Sequence, residues 1–275
     1  MMHGTNDVRF STVRLPTGLR LRYAEKGARE GEAIVLLHAY VDSWYWFSRT
    51  LPLISYEYRA LAPDQRGHGE SDKPGCCYTT DDFAADVDAF VDAVGVEKAT
   101  LVGHSSGGLI AQRVALNYPR RVGRLVLIGA PITLVHNAAV AEFAVEMLAL
   151  EDPISHEFVR GFVEGTIHHP VPEEFLAGAV SESLKVPARV WRDYFEGVLL
   201  AADDTARLGE IRAPTLILWG ERDTLLPHEE QERRSATIPD ATLKVYPDTG
   251  HAVAGERPEW VARDLEAFMR DTPPT

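Results

Sequence analysis

The chain has 275 residues, enough for one large α/β domain with an insertion, and its 45% hydrophobic content suits a soluble protein with a sizeable core. A formal net charge of -13 makes nucleic acid and anionic membrane surfaces poor partners. The longest apolar runs, such as AIVLLHA and RLVLIGAPITLV, are too short to span a bilayer.

The opening MMHGTNDVRF has no apolar h-region, so no secretory leader is expected. VRFSTVRL and LRLRYAE then read as a hairpin turning at Pro16-Thr17-Gly18. AIVLLH (33–38) and YRALAPD (58–64) read as strands bounded by turn residues. Cys76 and Cys77 are the only cysteines. A disulfide between neighbours is strained, and two adjacent cysteines fit no metal pattern. Free thiols in a reducing compartment, the cytoplasm, are therefore expected. DDFAADVDAFVDAVG (81–95) reads as an amphipathic helix, with Phe83, Val87, Phe90, Val91 and Val94 on one face and Gly95 at its end. ATLVG (99–103) is a strand followed by a helix to Asn117, and RLVLIGA (124–130) is the next strand. PTLILWG (214–220), a helix near 228–237, TLKVYPD (242–248) and a helix at about 258–270 complete the series. Strands that alternate with helices imply an α/β fold with a mostly parallel, doubly wound sheet.

Residues 131–210 break the rhythm. They hold no convincing strand, but apolar residues at helical spacing, among them Phe143, Met147, Phe158, Phe162, Trp191, Tyr194 and Phe195, punctuated by prolines. They are expected to form a helical cap inserted between strands, with 1–130 and 211–275 as the core.

Gly103-His104-Ser105-Ser106-Gly107 matches G-x-S-x-G between the strand ATLV and a helix carrying Leu109, Ile110 and Val114. That context places Ser105 on a sharp strand-to-helix turn, where a serine side chain is exposed as a nucleophile. A bare helix cap is the competing role. A base and an orienting acid must follow. His251 in PDTGHAV and Asp223 in LILWGERDTLLP each come just after a strand, in the order Ser105, Asp223, His251. Glu221 and Asp248 compete with Asp223 for the acid's place: Glu221 sits closer to the strand end, and Asp248 only three residues from His251. His38 apart, the remaining motif histidines, His68 and His104, read as structural, and His168-His169 as solvated.

These residues together make the chain similar to the α/β-hydrolase superfamily over nearly its whole length. LLHAYVDSW (36–44) resembles the family's His-Gly-x loop, with Ala39 where glycine is common. DQRGHGESDKP (64–74) resembles the stretch that shapes the floor of the site. The resemblance implies an oxyanion hole from the backbone N–H groups of Tyr40 and Ser106. It implies no metal and no organic cofactor. Related dehalogenases and epoxide hydrolases carry Asp at the elbow, and Ser105 argues against both. The expected function is hydrolysis of a carboxylic ester or lactone with a modest apolar acyl group, through an acyl-enzyme. A cofactor-free haloperoxidase or perhydrolase, a carbon–carbon bond hydrolase and a low-turnover ligand receptor are the alternatives. The expected partner is a small-molecule substrate. Trp44, Met147 and Trp191 are expected at its pocket, although the run Trp44 to Phe47 suits core packing equally.

Overall fold

In the computed structural model, which describes residues 8–275, eight strands form one sheet. Most of the opening segment read above for a leader, residues 1–7, lies outside that range. The strands are β1 (Arg9–Arg14), β2 (Arg20–Gly27), β3 (Ala33–Leu37), β4 (Arg59–Pro63), β5 (Ala99–His104), β6 (Val122–Ile128), β7 (Thr215–Gly220) and β8 (Ala241–Tyr246). Their order is β1-β2-β4-β3-β5-β6-β7-β8. β2 runs antiparallel to β1 and β4, and the other neighbours are parallel. Every residue of β3, β4, β5, β6 and β7 is buried, as expected of parallel strands covered on both faces. Their Val, Ile, Leu and Ala residues form the centre of the core.

Helices cover both faces. α1 (Thr80–Ala93) starts at a capping box, in which Thr79 accepts from the Asp82 N–H and the Asp82 carboxylate accepts from the Thr79 N–H. All five apolar positions read on its face are buried, and Gly95 ends it with φ +73°. α2 (Ser106–Asn117) follows β5 and is buried along most of its length. Between β6 and β7 the chain forms α3 (Ala138–Leu148), α4 (His156–Glu164), α5 (Glu173–Ser183) and α6 (Ala188–Tyr194), which runs into a π-helical turn at Phe195–Leu199. This insertion has an apolar interior of its own, with Val159, Val163, Phe175, Trp191 and Tyr194 buried. An isolated antiparallel bridge between Thr133 and Asp203 closes its base. α7 (His228–Thr237), α8 (Val253–Glu256) and α9 (Pro258–Asp271) complete the chain.

One expectation is corrected. Cys76 and Cys77 are paired as a disulfide, not free. Cys77 lies in the left-handed region at φ +72°, and that backbone turn carries the neighbouring thiols toward each other. Cysteine usage therefore no longer argues for a reducing compartment. Among the described residues no helix is long and apolar enough to cross a membrane.

The topology fixes where a site can form. From β3 the chain moves outward to β4, then returns to β5 on the other side of β3. Loops leaving the carboxyl ends of β3 and β5 therefore diverge and leave a crevice between them.

Candidate active site

Ser105 stands at the crevice, immediately after β5, with φ +51° and ψ -122°. A non-glycine residue rarely adopts such a backbone, and it holds only where surroundings over-determine it. Here they do. A Cβ on Gly103 would run into the backbone of Gly107, and one on Gly107 into the carbonyls of Leu37 and His38. The two motif glycines thus let the turn fold tightly against β3. The result lifts the Ser105 hydroxyl off the sheet.

The hydroxyl lies 2.9 Å from His251 Nε2, and His251 Nδ1 lies 2.8 Å from Asp223 Oδ2. A carboxylate can only accept, so Nδ1 carries the proton and Nε2 accepts from Ser105. The Asp223 side chain is fully buried, and its Oδ1 accepts the N–H groups of Leu225 and Leu226 at 2.9 and 3.0 Å. Both carboxylate oxygens are therefore committed. The two competing acids lie elsewhere. Glu221 is half exposed, accepting from the Asp248 N–H at 3.3 Å and facing Arg222. Asp248 is exposed and pairs with His168, His169 and Arg257.

Tyr40 follows β3, and among the described residues its backbone N–H has no acceptor. The N–H of Ser106 opens α2 and has no intrahelical acceptor either. Ala39, where glycine is common, does not need a positive φ, because Val41 takes the left-handed turn of the loop at φ +55°. The loop is braced from below. The Gln65 N–H donates to His38 Nε2 at 3.0 Å, and the Gln65 amide donates to the His38 carbonyl at 2.8 Å. Burial holds the His38 imidazole well below the usual histidine range, so it stays neutral and able to accept. His68 and His104 are buried as well, and burial lowers them to about 4 and about 3. Neither is suited to carry a proton at neutral pH.

Above Ser105 and His251 lies a cavity of about 300 Å³. Its walls are largely apolar, with Tyr40, Trp46, Phe143, Phe162 and Phe195 as the aromatic lining and Leu225 from the loop after β7. The three side chains expected there do not line it. Trp44 packs edge-on to Phe10 and borders an outer surface hollow. Met147 and Trp191 are fully buried one layer behind the wall, Met147 Sδ at 3.7 Å from the Tyr40 hydroxyl and the Trp191 ring against Tyr40 and Phe162. Helical spacing identifies an apolar face. It does not tell whether that face meets the cavity or the interior of the insertion.

Three residues at the site were not singled out from sequence. The Tyr194 hydroxyl, from α6, donates to Ser106 Oγ at 2.9 Å. The Glu256 carboxylate accepts from the N–H groups of His168, His169 and Gly250, tying the insertion to the loop that carries His251. Asp42 lines the cavity and is almost fully buried. For Asp42 the one signal was a carboxylate in the run AYVDSWYW; Tyr194 was read only as an apolar position of the insertion, and nothing marked Glu256.

The model of the alpha/beta hydrolase fold matches residues 32–258. The chain belongs to the alpha/beta hydrolase family. Within that family it is 30% identical to a non-heme chloroperoxidase of Streptomyces lividans, over 95% of this chain and the whole of that protein. It is also 30% identical to a 2-hydroxy-6-oxo-6-phenylhexa-2,4-dienoate hydrolase of Burkholderia cepacia, over 88% of this chain and 89% of the other. The crystal structure of an esterase from Rhodococcus sp. ECU1013 superposes with a TM-score of 0.83 at 25% identity, covering 96% of this chain and 98% of that one. Among the described residues of this α/β hydrolase, no group of three or more His, Cys, Asp or Glu is arranged to hold a metal.

Proposed function

We propose that this α/β hydrolase cleaves a carboxylic ester or lactone with a modest apolar acyl group, using Ser105 as nucleophile. The observation that carries this reading is the unbroken relay Ser105–His251–Asp223 at the floor of an apolar cavity. His251 Nε2 takes the Ser105 proton as Oγ attacks the carbonyl carbon, and Asp223 stabilises the imidazolium through Nδ1–H. The tetrahedral oxyanion is received by the backbone N–H groups of Tyr40 and Ser106, each worth about 3 kcal/mol of transition-state stabilisation. His251 then protonates the leaving alcohol, and an acyl-serine remains. Water, deprotonated by His251, attacks it and restores Ser105 with release of the acid. Every electron pair and proton is supplied by these residues, the substrate and water, so the steps call for no cofactor. We read the insertion, residues 131–210, as a lid that excludes bulk water and sets the acyl length.

The tests are direct. Ser105→Ala is expected to abolish hydrolysis of p-nitrophenyl esters while circular dichroism stays unchanged, and a fluorophosphonate is expected to label Ser105. Retained activity, or label on Ser106, would remove the nucleophile from its role. A second reading draws support from the similarity to the chloroperoxidase and to the dienoate hydrolase. In the first case hydrogen peroxide replaces water on the same acyl-serine and yields a peracid. In the second a carbon–carbon bond next to a carbonyl is cleaved. Assays with peroxide plus a carboxylic acid or ester, and with a vinylogous 1,5-diketone, separate these chemistries from simple ester hydrolysis.

A further inference from the structure

Asp42 is the acid that the proposed chemistry leaves unused. It lines the same cavity as Ser105 and His251, two residues after Tyr40, and is only 8% exposed. The chain enters it through Val41, a β-branched residue at φ +55°, a conformation that is unfavourable for that side chain. Among the described residues the Asp42 carboxyl has no hydrogen-bond and no ion-pair partner. Tyr194 is close enough to feel its charge, but the Tyr194 O–H is directed to Ser106 Oγ. No lysine or arginine lines the cavity; its other titratable members are Tyr40, His104 and His251. Burial pushes the Asp42 carboxyl well above the usual carboxylate range.

A carboxyl that faces a largely apolar cavity without a protein partner calls for an explanation. A neutral carboxyl presents one O–H donor and one carbonyl acceptor side by side. A hydroxyl group, itself donor and acceptor, complements both at once. A plain alkyl chain complements neither.

We propose that Asp42 is a substrate-recognition residue that receives a hydroxyl group on the acyl chain, making hydroxyacyl esters the preferred substrate class. The inference rests on the serine-hydrolase reading above and adds the chemical class of its acyl group. A site built around such a hydrogen bond rejects the analogue lacking the hydroxyl, because the buried group is then left unpaired.

The experiment compares ethyl hexanoate with ethyl 2-, 3- and 6-hydroxyhexanoate and ethyl 6-aminohexanoate by pH-stat, in the wild type, Asp42→Ala and Asp42→Asn. The wild type is expected to favour at least one hydroxy ester over ethyl hexanoate by about tenfold or more in kcat/KM. Asp42→Ala is expected to erase that preference. Asp42→Asn, whose amide also offers a donor and an acceptor, is expected to keep most of it. Asp42→Ala is expected to unfold at the wild-type temperature or above, because a carboxyl without a protein partner has been removed. A structural role predicts the opposite. An equal rate on hydroxylated and plain esters in the wild type overturns the proposal, as does a preference that survives in Asp42→Ala. A preference for the amino ester that Asp42→Asn abolishes also overturns it, in favour of a charged carboxylate that binds cations. Calorimetric binding of the same esters to Ser105→Ala reads the hydroxyl preference without turnover. Absent hydrolysis with hydroxyl-selective binding therefore counts against the serine chemistry alone.

Discussion

Replacing Asp223 with asparagine changes one atom, and the hydrogen bonds around it dictate the consequence. Oδ1 accepts two backbone N–H groups, from Leu225 and Leu226, and Oδ2 accepts His251 Nδ1–H. An asparagine can turn its oxygen to only one side. Facing its NH₂ toward Leu225 and Leu226 would set donors against two buried donors, at about 1–3 kcal/mol for each unmet group. The amide oxygen therefore stays with the backbone and the NH₂ faces His251. Nδ1 must then accept, the ring proton moves to Nε2, and Nε2 at 2.9 Å from Ser105 Oγ can no longer take its proton. The side chain remains in place, so KM is expected to change little. kcat is expected to fall by about 10⁴, the loss that the wrong tautomer causes in a serine triad, which corresponds to about 5.5 kcal/mol at 1.36 kcal/mol per tenfold. Steady-state hydrolysis of a p-nitrophenyl ester at pH 7–8 measures it, with thermal unfolding as the folding control. A kcat within tenfold of wild type would refute the reasoning and return Glu221 and Asp248 to consideration. Glu221→Gln is the matched control and is expected to be nearly silent.

Tyr40→Phe is expected to leave kcat within a fewfold, because the phenol donates to the Trp191 carbonyl at 2.7 Å and not toward Ser105. It is expected to cost about 0.5–1.5 kcal/mol of stability in urea unfolding by removing that hydrogen bond, the carbonyl keeping the N–H of Phe195; a hundredfold loss of kcat would instead mark the phenol as a transition-state donor. Phe162→Ala removes a ring from the wall of the 300 Å³ cavity and is expected to shift the preferred acyl group of p-nitrophenyl esters to longer chains. An unchanged chain-length profile would move the acyl group elsewhere. His68 is held at about 4 by burial, below its unfolded value of 6.5, so its neutral form contributes stability at pH 7 that is lost as pH falls from about 6.5 through 4. Near pH 4.5 that loss is about 2–3 kcal/mol for this one group, and His68→Gln is expected to flatten the unfolding free energy over pH 7 to 4.5 by that amount. An equally steep decline in the variant would assign the acid sensitivity to other groups.

Much of this protein is decided locally. Unbroken apolar runs of strand length, separated by amphipathic helices, leave few arrangements other than a parallel sheet covered on both faces. The five apolar positions of α1 are buried because a period of 3.6 places them on one side whatever they pack against. Ser105, Asp223 and His251 were legible for a related reason: each comes just after a strand, and all the parallel strands end on the same edge. Position along the chain thus nearly fixed position in space. Other features depend on which surfaces meet. Trp191 and Met147 lie on apolar helical faces, but packing of α3, α4 and α6 against one another turns them inward and gives the cavity wall to Phe143 and Phe162. Asp42, on the loop after β3, and Tyr194, at the end of α6, are far apart in sequence, and only the packing of α6 near the sheet's edge sets them at one site. Cys76 and Cys77 pair because one backbone turn at Cys77 adopts a rare conformation that composition does not encode. Periodicity reports what a segment hides from water. Which neighbour it hides against is chosen only when the whole chain packs.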